Sequence, residues 1–141
     1  FGPATNDAPD GTTHGKPAGG FPALMLRLAR ERGHVRVVHG QVGSPGYIPD
    51  LARAVWQLLE HSTGGLYQLS NAGEVAFDDY ARTVFEMAGV PCEVQSVSSE
   101  EYGAAARRPE YSVLSNAKAH AAGVIPLRHW RAALEEFLAD G

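Results

Sequence analysis

A chain of 141 residues with 44% hydrophobic and 20% charged side chains is one domain's worth of globular protein, able to bury roughly 68% of the surface its unfolded form exposes and far from the composition of disorder. Twelve Lys and Arg against sixteen Asp and Glu leave a net charge of −4, which argues against nucleic acid as a partner. No apolar run approaches the ~20 residues that span a bilayer, no signal-peptide pattern opens the chain, and the lone Cys92 excludes an intrachain disulfide and fits a reducing, cytoplasmic setting.

Residues 1–20 are rich in Gly, Pro, Asn, Asp and Thr and hold no helix or strand period, so they read as a loop. From Phe21 an apolar stripe (Leu24, Met25, Leu28, Ala29) predicts a helix with Arg30 and Arg32 in its last turn, stopped by Gly33. Val35, Val37 and Val38 predict a strand. Gly40 to Pro49 is a turn-rich crossing, because Pro45 and Pro49 interrupt backbone donors. A second helix follows with Asp50 capping it and Leu51, Val55, Leu58 and Leu59 as its apolar residues. Gly64-Gly65 ends it, and Leu66–Leu69 alternates like a strand.

Asp78 to Ala88 predicts a third helix with Tyr80, Ala81, Val84, Phe85 and Ala88 inward and Gly89 at its C-terminal cap. Val94–Val97 predicts another strand, and Ser98 with Glu101 forms a capping box for a short helix. An extended piece, Tyr111–Leu114, leads to a helix capped by Ser115 and ended by Gly123. A final helix, His129–Ala139, buries Trp130, Leu134, Phe137 and Leu138. Helices alternating with short strands make the fold α/β.

Chemistry is sparse. Gly40-x-x-Gly43-x-x-Gly46 follows a strand, as a dinucleotide turn would, but Pro45 lies where a helix should already donate amides. The segment reads as a structural turn. The six histidines show no ligand spacing, so no metal site is expected. Cys92 has no neighbour to lower its pKa, and no Gly-x-Ser-x-Gly elbow exists. None of the five tyrosines is followed four residues later by lysine. Two features remain. Arg107-Arg108-Pro109 offers guanidinium forks suited to phosphate oxygens, the bland alternative being a solvated pair or an ion pair with Glu110. Gln41, Ser44 and Tyr47 decorate a Gly/Pro-braced loop of the kind that mounts ligand contacts.

Taken together, the phrases Phe1-Gly2-Pro3, MLRLARERG, VRVVHGQVGSPGYIPDLARAVWQLLE, GGLYQLSNAGE, DDYARTVFEMAG, AARRPEYSVLSNAK and PLRHWRAALEEFL occur in an order that resembles the C-terminal half of dTDP-4-dehydrorhamnose reductases, which are extended short-chain dehydrogenases. The resemblance covers nearly everything from Phe21 to Leu138. It implies the C-terminal part of an extended Rossmann-type reductase: residues 21–141 would be the sugar-nucleotide-binding portion, a substrate lobe plus the last elements of the parallel sheet. In such enzymes the N-terminal half holds the cofactor turn and a Tyr-x-x-x-Lys pair, whose Tyr protonates the C4 oxygen while NADPH delivers hydride.

The resemblance therefore implies no catalytic and no cofactor-binding residue here, NADPH held by the other half, and a chain inactive by itself. It implies Arg108 as the contact to the dTDP diphosphate and Gln41 and Ser44 as polar contacts of a dTDP-4-keto-deoxysugar. The implied partners are this substrate, the chain's own N-terminal Rossmann half and a second copy in a homodimer. Leu66–Leu69 would then join the other half's parallel sheet, leaving an open edge and exposed apolar faces. Three departures stand out: Gly20 for the usual Asn, Gly46 for the usual Thr, and Ala76 for a helix-capping Ser. They leave open a non-catalytic interaction module of the same fold, and a reductase or epimerase for another sugar nucleotide.

Overall fold

A computed structural model describes residue 1 and residues 19–61, 64–103 and 108–140. The opening stretch expected as a loop lies outside the described residues except for Phe1, Gly19 and Gly20. Helix α1 (Gly20–Arg32) ends where Gly33 turns left-handed, at φ 70°, and returns its N–H to the Ala29 carbonyl at 2.8 Å. Strand β1 (His34–Val38) buries Val35 and Val37 and exposes the residues between them, the period of two that a one-faced strand requires. It pairs in parallel with β4 (Glu93–Val97), from His34 opposite Glu93 to Val38 opposite Val97.

Between these strands lie β2 (Val42–Gly43), α2 (Ile48–His61), β3 (Val75–Ala76) and α3 (Phe77–Ala88). Helix α3 buries Tyr80, Ala81, Val84 and Phe85 on one face and ends on left-handed Gly89. After β4 come α4 (Ser99–Tyr102), α5 (Ala117–Ala121) and α6 (Trp130–Ala139). Helices α1 and α3 pack on the β1–β4 pair and α6 packs on α3, and their apolar stripes meet in the main core of Met25, Ala29, Val35, Val37, Tyr80, Val84, Phe85, Trp130 and Leu134. Aromatic rings tie it together: Phe21 stacks on Tyr80 at 5.4 Å, and Tyr80 meets Trp130 edge-on at 5.3 Å. A second, smaller cluster joins Ala54 of α2, Ala119 of α5 and Val124, flanked by Leu58, Tyr67, Leu69 and Leu127.

The capping box is present in full. Ser98 Oγ accepts from the Glu101 N–H at 3.1 Å, and Glu101 accepts from the Ser98 N–H at 2.8 Å. Leu66–Leu69, expected to pair with a sheet outside these residues, joins no ladder with any described residue; Lys118 donates to the Leu66 carbonyl at 2.7 Å and rests over the Tyr67 ring. Two expectations need correction. Helix α5 starts after Asn116 rather than Ser115. The Asn116 side chain does not cap it but clasps Ser70 through both backbone groups, at 2.7 and 3.0 Å. On α2, Ala54 and Leu58 face the small cluster, whereas Val55 and Leu59 of the expected apolar set are exposed.

Helix α3 begins without a side-chain cap, because its N-cap is Ala76 in extended backbone geometry. The Gln41 carbonyl accepts the Phe77 N–H at 3.1 Å, satisfying one orphan donor. The remaining donors of the first turn suit a hydroxyl acceptor, so Ala76→Ser is expected to stabilise the chain by about 1 kcal/mol. Thermal denaturation checks this, and an unchanged or lowered melting temperature contradicts it.

Candidate functional site at the seam between two clusters

The chain passes between its two apolar clusters four times: from Val37 to Ala54, Leu69 to Val75, Val94 to Ala119, and Leu127 to Trp130. Polar side chains gather on these crossings, because apolar packing is satisfied within each cluster and backbone groups at the boundary still need partners. Gln41 and Ser44 lie on the first crossing and Arg108 on the third.

Three crossings lie side by side. Val42 pairs with Ala76 in the antiparallel β2–β3 ladder. On its other side Val42 donates its N–H to the Glu110 carbonyl at 2.7 Å and accepts from the Ser112 N–H at 2.9 Å, a parallel bridge opposite Tyr111. The Tyr111 hydroxyl then reaches over this small ribbon and donates to Glu74 at 2.7 Å. That hydrogen bond pushes the phenol pKa up, so the hydroxyl keeps its proton. Arg108 thus stands two residues from Glu110, and Gln41 one residue from Val42, the two backbone partners.

Gln41 is buried and donates its side-chain amide to Ser99 Oγ at 3.2 Å. Ser44 is half-buried in the loop that follows. Arg108 is exposed and enters no ion pair with a described residue, Glu110 included; Arg107 lies outside the described residues. The rim of adjoining crossings therefore carries an exposed guanidinium with no ion pair to a described residue, a half-buried hydroxyl, and a buried amide already engaged by Ser99. The first two are free to donate to an anionic, hydroxylated ligand.

Behind the rim is a buried polar joint. Asp50 is not a helix cap: it is the third residue of α2 and only 6% exposed. Its carboxylate accepts from Arg128 Nε and Nη2 at 2.8 and 3.1 Å, from Asn71 Nδ2 at 2.7 Å and from Arg53. Arg128 also pairs with Glu136 of α6 and lies over the Tyr47 ring. Burial opposes ionisation of Asp50, yet the hydrogen bonds from Arg128, Asn71 and Arg53 outweigh it and hold the carboxyl below its ordinary value. Asn71 and Arg128, the sequence neighbours of the bridge between Ala72 and His129, stand on the two shortest crossings.

The triple-glycine turn does not fit a dinucleotide. A side chain at Gly43 would meet Ser112 Oγ at 3.4 Å, and one at Gly46 would meet the Leu51 side chain at 3.0 Å. At Gly43 this is ordinary contact, whereas at Gly46 the Leu51 side chain would have to give by a few tenths of an ångström. Pro49, inside the first turn of α2, removes an amide a phosphate would need. Among the described residues no three His, Cys, Asp or Glu side chains gather as metal ligands, and no helix is long and apolar enough to cross a membrane. Burial, with the Glu93 charge, pushes the Cys92 thiol up, away from nucleophile chemistry.

The model of the RmlD substrate binding domain matches residues 12–141. The chain belongs to the RmlD substrate-binding family. It is 42% identical over 127 residues to the spore coat polysaccharide biosynthesis protein SpsK of Bacillus subtilis, covering 90% of this chain and 44% of that one. It is 44% identical over 121 residues to the dTDP-4-dehydrorhamnose reductase of Mycobacterium tuberculosis, covering 84% and 40%. The crystal structure of dTDP-4-dehydrorhamnose reductase from Bacillus anthracis in complex with NADP superposes with a TM-score of 0.83 at 35% identity, over 91% of this chain and 46% of that one. The chain spans less than half the length of these relatives. The α/β architecture expected from the alternating elements is that of the C-terminal lobe of an extended Rossmann reductase.

Sequence reasoning did not reach the polar joint of this RmlD-type domain. Asp50 and Arg128 lie 78 residues apart and Asn71 and Arg128 57 apart, so no local spacing announces them. The one available signal was an acidic and an amide residue, Asp50 and Asn71, each beside a Pro or Gly punctuated turn.

Proposed function

We propose that this chain is the substrate-binding half of a dTDP-4-dehydrorhamnose reductase, an NADPH-dependent enzyme that reduces the 4-keto group of a dTDP-deoxysugar. The observation that supports this reading is the backbone pairing of Val42 with Glu110 and Ser112, which sets the Gln41–Ser44 loop beside the segment that begins at Arg108, in a chain 44% identical to a protein of that name. Arg108 holds the diphosphate of the sugar nucleotide through its guanidinium fork, and Gln41 and Ser44 bond the sugar side. The hydride source and the proton donor to C4 lie outside these residues, since the glycine turn does not fit a dinucleotide and no Tyr-x-x-x-Lys pair is present. The chain alone is then inactive.

An exposed apolar stripe on α2 supports a partner. Trp56 is 66% and Leu59 72% exposed, beside Ile48 and Val55, and relatives more than twice this length supply a cofactor-binding half to cover it. That half is the occupant we assign to the stripe, in preference to a second copy of this chain.

Titration of the chain with dTDP, followed by calorimetry, tests the reading. Arg108→Ala is expected to weaken dTDP at least about tenfold, the loss of one charge-assisted hydrogen bond or more. Melting should not change, because Arg108 is exposed and unpaired among the described residues. Absence of dTDP binding to the parent chain sinks the reading, and equal affinity for UDP moves it to another sugar nucleotide.

A further inference from the structure

The span Ser44-Pro45-Gly46 is fixed at one end by the Val42 ladder. At its other end the Tyr47 N–H donates to Asn71 Oδ1 at 2.8 Å. Asn71 is 1% exposed, and both halves of its amide are used. Its carbonyl takes the Tyr47 N–H, while its Nδ2 donates to Asp50 at 2.7 Å and to the Arg128 carbonyl at 3.2 Å. The Asp50 carboxylate is acceptor-only, so it permits one amide orientation: nitrogen toward Asp50, oxygen toward Tyr47. Arg128 and Arg53 in turn hold Asp50.

We infer that Asn71 is the positioning residue of the substrate loop, an orientation-locked pin that sets where Ser44 stands relative to the Arg108 rim, with Asp50 and Arg128 as the lock. This inference rests on the proposed sugar-nucleotide site and extends it to residues that do not touch the ligand. Phe1 also holds this end, its amine donating to the Gly46 carbonyl at 2.7 Å and its carbonyl accepting the Ile48 N–H at 2.7 Å. Loss of the pin therefore loosens the Tyr47 amide between these bonds without opening either apolar cluster, because Asn71 belongs to neither.

Asn71→Asp separates positioning from packing, since it keeps the shape and the acceptor for Tyr47 but removes the donor. When ionised, the introduced carboxyl opposes Asp50. When protonated, it regains a donor and mimics the amide. The charged groups around it are Asp50 and Arg53 of α2, Arg128 on the crossing, and Glu136 of α6, with His129 next in the chain. At pH 7.5 this variant is expected to bind dTDP at least about tenfold more weakly and to exchange its Ser44–Tyr47 amides faster, with the β1–β4 amides unchanged. Both properties should return toward those of the parent chain at pH 5.5. Val84→Ala, a core truncation remote from the loop, serves as the control that lowers melting without touching the pin.

Parent-like loop exchange in Asn71→Asp at both pH values overturns the inference. So does a defect that acidification leaves intact and Val84→Ala reproduces. If the parent chain binds no dTDP, the proposed function fails, and loop exchange alone decides the positioning role. Should Asn71→Asp not fold at pH 7.5, Asn71→Ser, which shortens the pin without adding charge, takes its place: faster Ser44–Tyr47 exchange over an unchanged β1–β4 pair supports the pin, and unchanged exchange overturns it.

Discussion

Gly73→Ala is expected to destabilise the chain by about 3 kcal/mol, the sum of roughly 1–2 kcal/mol for a left-handed non-glycine residue and 1–3 kcal/mol for overpacking. Gly73 has φ +88°, and a Cβ there would lie 2.3 Å from His129 Nε2, 2.6 Å from its Cδ2 and 2.9 Å from Trp130 Cδ1. Neither neighbour can retreat cheaply. His129 caps α6, accepting from the Arg131 N–H, and its backbone bridges Ala72. Trp130 is anchored in the main core against Tyr80. Against a typical total of about 5–15 kcal/mol, such a loss is large. Urea denaturation measures it, and a change below about 0.5 kcal/mol would mean the seam is far looser than drawn. Adding His129→Ala removes the two closest contacts, leaving that with Trp130, and should recover part of the loss, less about 1 kcal/mol for the missing cap.

Arg128→Ala is expected to cost about 3 kcal/mol, the lower end of what breaking a buried ion pair costs, because the Arg128 side chain is itself 33% exposed. The variant strands Asp50, whose carboxylate keeps only Asn71 and Arg53. Arg128→Lys recovers a fraction, since an ammonium cannot bridge both Asp50 oxygens as the guanidinium does. The pH dependence has a definite sign. Asp50 is held below its ordinary value by its hydrogen bonds, against the opposing effect of burial; Glu136 is held low by the Arg128 hydrogen bond. Carboxyls depressed on folding stabilise above their unfolded pKa of about 4 and lose that contribution as pH falls through the lower folded values. The parent chain should therefore weaken below about pH 4. In Arg128→Ala burial of Asp50 is opposed by fewer donors, so the gap between variant and parent should be wide at pH 7 and narrow at pH 3. A gap independent of pH would show that Asp50 gains nothing from Arg128.

What could be read in advance divides along a physical line. The ends of α1 and α3 were legible because Gly33 and Gly89 stop helices by their own backbone freedom. The α4 start was legible because Ser98 and Glu101 satisfy each other within one turn. These are local signals that tertiary structure need not complete. Leu66–Leu69 stays unpaired among the described residues because alternation states a preference for a ladder, while the ladder itself needs a neighbour. Asp50 failed as a cap for the converse reason: it is a polar residue at a helix start, but its carboxylate serves Arg128, a partner 78 residues away. Ser115 stands one residue before the N-cap position, which is Asn116, yet its hydroxyl still accepts the Ala117 N–H at 3.4 Å. Of the candidate site, Arg108, Gln41 and Ser44 stood out as paired cation and braced loop. Asn71, buried within Ser-Asn-Ala-Gly, carried no such mark, since its importance lies entirely in what three distant segments bring to it.

The two clusters are woven rather than strung. The smaller one is assembled from stretches 54–69 and 119–127, and the larger from those before, between and after them. No single cut in the gene could deliver either one as a contiguous, self-sufficient peptide. A protease nicking any one crossing would leave both bodies still threaded through the other three, so cleavage there should yield a nicked but associated molecule instead of two separable pieces.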